Sequence, residues 1–296
     1  MNKKYNFSKL FNGANILSLF VVIISLLFIS FKGLNYGIDF KGGTLIEIRT
    51  GKTVNVTNIR DSLSSLKLGD VKVKEFGKQG DFLIKIEKTF DKDKGFIKEI
   101  KSKISNNLQQ EVNFRRVENV GPKVSSELLQ KGLTAIILSL AAMLFYIWIR
   151  FEWQFSVGSI IALIHDVTIT LGIFSILSFE INLSIVAAVL TIVGYSMNDT
   201  VVIFDRIREN LLKYSKISTN EISDISINET LSRTIITSVT TLIALFSIFI
   251  LGGEILRGFS FAMILGVLIG TYSSIFVASP VLNYFKVTQK TLIKDD

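Results

Sequence analysis

Residues 181–210 read INLSIVAAVLTIVGYSMNDTVVIFDRIREN. The run from Ile181 to Phe204 is long and apolar enough to cross a bilayer as one helix. Yet Asn198 and Asp199 sit inside it, and Asp205, Arg206 and Arg208 close it within two turns. A carboxylate in a membrane helix costs roughly 2.5–3.5 kcal/mol even on a lenient insertion scale. Arg206 belongs at the membrane surface, and seven residues of helix set Asp199 about 10 Å inside. Asp205 is interfacial by the same arithmetic, an exposed acid close to Arg206 and Arg208. Either Asp199 is a satisfied polar group near a helix end, or it is machinery.

Composition supports the membrane reading. Hydrophobic residues make up 49% of the 296 and charged residues only 20%, too lopsided for an ordinary soluble domain. Five further runs read as spans: 15–31, 132–149, about 155–178, about 231–251 and about 259–282. The first follows Lys3, Lys4 and Lys9. It is longer than a signal core and SFKGLNYG offers no small-x-small cleavage site, so it reads as a retained helix. Cysteine is absent and histidine occurs once, which rules out disulfides and a His/Cys zinc site.

The net charge of +8 is explained by topology and not by nucleic acid. Lys3, Lys4, Lys9, Arg150, Arg206, Arg208, Lys213, Lys216, Lys286, Lys290 and Lys294 all fall on one side of a six-span plan. The short loops of the other side hold only Glu180, and Glu254 with Arg257. The positive-inside rule then puts both termini in the cytoplasm. The expected layout is a cytoplasmic N-terminus (1–14), a first span (15–31), an extracytoplasmic domain (32–131), a five-helix bundle (132–285) and a cytoplasmic tail (286–296). The fold class is thus a polytopic α-helical membrane protein with one small α+β domain outside.

That domain alternates in pattern. TLIEIRT, DVKVKEF, DFLIKIEKT and EVNFRRVENV are strand-like. NIRDSLSSLKL and DKGFIKEIKSKISNNL are helix-like, the second with Phe96, Ile97, Ile100 and Ile104 on one stripe. The order strand-helix-strand-strand-helix-strand predicts a split βαβ, ferredoxin-like arrangement. It holds no Ser/His pair or acid cluster, so it reads as a docking module and the chain as no enzyme. GIDFKGGT (37–44), with Gly37, Asp39, Gly42 and Gly43, joins the first span to the first strand. It lacks the spacing and the GK[ST] of a phosphate loop, and reads as a turn that orients the domain. On the other flank, Pro122 suits the first turn of a helix.

Polar residues inside the bundle are the candidates for function. SINE, 226–229, reads as a capping box that starts the fifth helix and sets Arg233 about 10 Å along it. Asp199 descends and Arg233 rises, so the two share one depth. A carboxylate beside a guanidinium keeps its charge, whereas one left alone in a dry interior favours its protonated form. An opening pair therefore takes up a proton; a closed one merely joins two helices. A secondary polar seam comprises Asn198, Thr200, Asp166 and Thr237, with further hydroxyls in TIITSVTT (234–241). Gly158, Ala162, Asp166 and Thr170 form a small or polar stripe that faces other helices, with Asp166 either a relay acid or a hydrogen-bond partner. His165 points elsewhere, as a packing residue. Ala262, Gly266, Gly270, Ser274 and Ala278 form a ridge for close helix approach. No nucleotide-binding fingerprint or cofactor motif occurs, which leaves a transmembrane ion gradient as the energy source.

Six stretches, in order, carry a resemblance: GIDFKGGT (37–44), NVGPKVSSELL (119–129), RFEWQFSVGSIIALIHDV (150–167), GYSMNDTVVIFDRIREN (194–210), ETLSRTIITSVTTL (229–242) and GGEILRGFSFAMILGVLIGTYSSIFVASP (252–280). Together they span nearly the whole chain, which resembles the SecF family of bacterial protein-export subunits, within the RND-type superfamily. The resemblance implies an accessory role in the inner membrane, among its lipids. It implies SecD as pseudo-symmetric partner, SecYEG as the channel served, and unfolded exported polypeptide as cargo. It implies no cofactor: the proton gradient, or sodium in some relatives, drives the work. Asp199 and Arg233 match the acid and arginine that the family ties to ion coupling. The competing readings are half of a small-molecule exporter, which normally carries two large external loops, and a non-catalytic assembly subunit.

Overall fold

The computed structural model describes residues 5–51, 53–64, 66, 68–87, 94–214 and 216–292. Lys3, Lys4, Lys294, the strand end at 88–89, Asp93 and the side chain of Phe96 lie outside them. A 3-10 turn (Phe7–Leu10) leads into α1 (Phe11–Phe31), followed by β1 (Asn35–Tyr36), α2 (Ile38–Lys41), β2 (Gly43–Arg49), α3 (Val56–Ser64), β3 (Val71–Glu75), β4 (Asp81–Ile86), α4 (Lys94–Leu108) and β5 (Asn113–Val120). Then come α5 (Pro122–Arg150), α6 (Trp153–Leu177), β6 (Glu180–Ile181), α7 (Leu183–Lys213), α8 (Thr219–Leu251), α9 (Glu254–Ser273), a π turn (Ser274–Ala278), α10 (Ser279–Tyr284) and α11 (Gln289–Leu292). Two compact units result: a small one, Tyr36–Thr134 with Glu180–Leu183, and a helical one made of the rest.

In the small unit, β2 to β5 form one antiparallel sheet ordered β3-β4-β2-β5. Alternation puts Val73, Ile84, Ile46 and Val117 in one row across all four strands, with Ile48 and Phe82 beside it. α3 and α4 cover that face through Ile59, Leu63, Ile100 and Ile104, all buried, while Ile97 of the expected stripe is only half-buried. This is the strand-helix-strand-strand-helix-strand order that the alternating patterns predict.

The opposite face is charged. Arg49 donates through Nε and Nη2 to both carboxylate oxygens of Asp81, each at 2.5 Å. Arg115 lies 3.6 Å from the same carboxylate. The Arg49 hydrogen bonds, reinforced by the Arg115 charge, hold the Asp81 carboxyl below the usual carboxylate range against the opposing effect of burial. A folded-state pKa below the unfolded value of about 3.9 gives stability that is full above roughly pH 4 and is lost as pH falls through the lowered value. Protection factors of β2 and β4 amides should therefore drop in that acid window for the wild type. In Asp81→Asn they should be lower at neutral pH and flat across the window; an identical acid drop in both proteins would remove Asp81 as its cause.

Among the described residues six helices are long and apolar enough to cross a membrane: Phe7–Phe31, α5, α6, α7, α8 and Leu256–Tyr284. The protein is a polytopic membrane protein with six transmembrane helices. α6, α7 and the last span are half or more buried, while in the other three few residues are buried and most are half-buried or exposed. The core of the helical unit accordingly runs along α6 and α7, through Phe155, Ala162, Val193, Met197 and Phe204, and on to Ala278 and Leu282. The stripe of α6 and the ridge of α9 are both buried as expected. A Cβ on Gly266 would fall inside the Ile192 side chain, and one on Gly270 would lie 3.0 Å from Ser196 Cβ. The glycines thus let α9 approach α7 closely.

Two local expectations are corrected. α8 begins at Thr219, with Ser218 as N-cap accepting from the Glu221 N–H at 3.3 Å. The N-cap signal is thus Ser218 of STNE (218–221), two turns earlier than SINE; Ser226 is buried mid-helix and bonded to Ile222 O and Asn210 instead. The last span is not one regular helix. Pro280 has no N–H for the carbonyl four residues back, the chain opens into a π turn, and Ser279 Oγ donates to Ser274 O at 2.9 Å. Asp205 pairs with Arg150 at 2.9 Å, while Arg206 binds Glu209 and Glu229 and Arg208 faces Glu152 at 3.7 Å.

Candidate functional site

Three contacts set the register of α7 against α8. Asn210 donates to Ser226 Oγ at 2.9 Å, Arg206 to Glu229 at 2.7 Å, and Tyr195 OH to Thr237 O at 3.1 Å. Read along the pair, they place Asp199 opposite residues 233–237. Arg233 therefore does share its depth, even though the helix starts earlier than expected, because both helices run on past the apolar stretch by similar lengths.

Asp199 is 4% exposed, and its Oδ2 has no hydrogen-bond partner. Arg233 lies at its level on α8. The two are not in contact: Arg233 is exposed, and among the described residues no ion pair within 4.0 Å joins them. Thr234 Oγ1 at the same level of α8 is also buried without a partner, as is Ser159 Oγ on α6. Unpartnered buried polar atoms are uncommon in native proteins, so the free Oδ2 of Asp199 sets this carboxylate apart. A carboxylate so placed depends on Arg233 when charged and does not when protonated. The arrangement is thus an open carboxylate–guanidinium pair.

Asp166 is the contrasting case. It is fully buried, and Oδ2 accepts from Ser196 Oγ at 2.6 Å and from Ser273 Oγ at 2.8 Å. Oδ1 meets His165 Nδ1 at 2.8 Å. His165 does not point elsewhere: neighbouring residues on a helix lie roughly 100° apart, and the imidazole swings back to reach the carboxylate. Its ring stacks on Tyr272, whose hydroxyl donates to Ala14 O at 2.9 Å. Asp166 therefore knots α6, α7 and α9 together.

The rest of the expected seam divides. Thr200 is buried and donates to Ser196 O at 3.1 Å. Thr237 is half-buried and bonds its own helix at Arg233 O and Thr234 O. Asn198 is exposed and does not join the group. Sequence reasoning missed Ser196, Ser273 and Tyr195. Ser196 carried a signal, one turn before Asp199; Ser273 lay just off the ridge spacing.

The Gly-Gly segment is a joint of the small unit. Gly42 and Gly43 have φ of +80° and +131°, and a Cβ on Gly43 would sit 2.6 Å from Ile86 O. Asp39 Oδ2 accepts from Leu183 N–H at 2.8 Å, and Gly37 N–H donates to Ile181 O at 2.9 Å. Ser125 Oγ donates to Ile38 O at 3.3 Å. Gly43→Ala should cost about 1–3 kcal/mol, since it adds backbone strain to a clash with backbone. Faster amide exchange at 43–49 and 81–86 is the expected sign, and unchanged exchange there would contradict it.

Comparison with known proteins identifies the family. Residues 100–288 match the family model for protein export membrane protein SecD/SecF, C-terminal, and residues 27–54 match the SecD/SecF GG motif. Protein translocase subunit SecF of Rickettsia bellii is 46% identical over 90% of this chain and 89% of its own. That of Vibrio alginolyticus is 45% identical over 90% and 85%. The crystal structure of SecDF, a translocon-associated membrane protein from Thermus thermophilus, superposes with a TM-score of 0.86 at 34% identity over 96% of this chain. A SecDF structure in a super-membrane-facing form gives 0.72 at 33% identity over 97%. The chain spans 39% of either SecDF chain. The chain belongs to the SecD/SecF family of protein-export membrane proteins, and within it to the SecF subunits.

Proposed function

We propose that this chain is an accessory subunit of the Sec translocase that, with SecD, draws on the transmembrane proton gradient to promote late steps of polypeptide export through SecYEG. It is a coupling subunit and not an enzyme, and it needs no cofactor. It lies in the inner membrane with both termini in the cytoplasm and the small unit outside. The observation that carries the reading is Asp199: a buried carboxylate with an unpartnered oxygen, level with Arg233 but not locked to it. A purely structural pair would be closed, because leaving a buried charge unpaired costs several kcal/mol. An open one suits a group that alternates between charged and protonated. Entry of a proton releases Asp199 from its dependence on Arg233, and its departure restores that dependence. Each cycle thus offers α7 and α8 two arrangements. Sodium is the competing ion, separated by replacing it with choline at constant pH. The test is Asp199→Asn, which keeps the shape and removes the titratable proton: gradient-dependent export should fall while assembly with SecD and SecYEG persists.

A further inference from the structure

We infer that Asp39 is a positioning residue for ion coupling: its carboxylate caps the first turn of α7, the helix that carries Asp199, and ties the Gly-Gly segment to the setting of that helix. The inference rests on the reading of Asp199 given above and adds a residue to it.

The first N–H groups of a helix have no partner within it, and an acid there satisfies a donor and complements the helix dipole. α7 begins at Leu183, and its N–H donates to Asp39 Oδ2 at 2.8 Å. The acid comes from 144 residues away in sequence, so this cap is a long-range contact and not a local turn. Two residues earlier on each side, Gly37 N–H donates to Ile181 O at 2.9 Å. Positions 37 and 39 thus grip positions 181 and 183 in matching steps. The salt bridge between Lys85 and Glu180 holds the same link from β4. A Cβ on Gly37 would meet the Glu180 carboxylate, which would have to shift to make room.

Asp39 is itself held. Ser125 binds the carbonyl of Ile38, and the positive φ angles of Gly42 and Gly43 turn the chain straight into β2 against the Ile86 carbonyl. The carboxylate is therefore a fixed part of the joint. From Leu183, α7 runs unbroken to Lys213 with no proline, and Asp199 follows sixteen residues on, about 24 Å along the axis. A shift or rotation imposed at Leu183 is carried along that helix to Asp199. Loss of the cap leaves the first N–H of α7 without this partner and frees the first turn of the helix that carries Asp199.

The test uses the full chain assembled with SecD and SecYEG in inverted membrane vesicles. Asp39→Ala removes the cap; Asp39→Asn keeps a side-chain oxygen that accepts from the Leu183 N–H. At equal amounts of assembled complex, Asp39→Ala should lower the gradient-dependent part of export about fivefold or more. It should leave the ATP-driven part unchanged, and Asp39→Asn should restore more than half of the loss. Amide exchange of the peptide over residues 181–187 should rise in the Ala variant and return toward wild type in Asn. A full gradient-dependent increment in Asp39→Ala overturns the inference, and so does an Asn variant no better than Ala. If Asp39→Ala does not assemble, Asp39→Asn decides: an increment above half of wild type supports the cap, and a lower one overturns it. Asp199→Asn runs alongside. If it keeps the increment, the coupling reading itself has failed; if it loses the increment while Asp39→Ala does not, only the cap has failed.

Discussion

Asp199→Asn is expected to cut the gradient-dependent increment of export about thirtyfold, the middle of the usual range for coupling between two sites. The amide has the same shape, and Asp199 Oδ2 holds no hydrogen bond that the change would break. Folding and assembly should therefore survive, and the loss should appear only where ion movement drives the step. ATP-driven export in the same vesicles should match wild type. Two outcomes would sink the idea: a full increment, which removes the titratable group from the mechanism, or failure of the variant to assemble, which makes the acid structural.

The second buried acid should behave in the opposite way. Asp166→Ala removes a carboxylate that engages Ser196, Ser273 and His165 on three sides of one crossing. Hydrogen bonds to a charged group contribute roughly 1.5–3 kcal/mol each. The serines recover part of this by turning to their own helices, as Ser273 already does toward Gly270 O at 3.2 Å. A net loss of about 3 kcal/mol remains. Thermal unfolding in detergent should fall by roughly 5–10 °C, with less assembled complex in membranes. Asp166→Asn, which still accepts from both serines, should lose much less. Wild-type thermal stability in the Ala variant would mean that the carboxylate does not hold the crossing. Two intramembrane acids of one chain are thus told apart by their partners: the satisfied one holds helices, and the unsatisfied one is free to change state.

Much of this is legible in the sequence where the governing physics is local. Apolar run length marks the spans, and the period of two in TLIEIRT marks the buried row of β2. Spacing of four marks the ridge of α9. The level of Asp199 and Arg233 is also readable, because helical rise is constant; even the misplaced start of α8 does not spoil it, since α7 overruns by a similar length. What is not legible is partner choice between distant segments. SINE and STNE are equally good capping signatures, and only packing of Ser226 against Asn210 excludes the first. Nothing in YSS says that Ser273 reaches Asp166, because the π turn that follows depends on Pro280 and Ser279 together. Asp39 shows the same limit: its motif reads as a turn, while its partner, Leu183, lies 144 residues away.

Ion movement coupled to export tests the central claim most directly. Vesicles holding the chain with SecD, SecYEG and the ATPase would carry a pH-sensitive dye, and export of a single defined polypeptide would be started under an imposed proton gradient. Wild-type vesicles should show proton flux that rises with export. Vesicles with Asp199→Asn should show flux reduced in the same proportion as the export increment, close to leak, at equal amounts of assembled complex. Equal export-linked proton flux from the two would contradict the account.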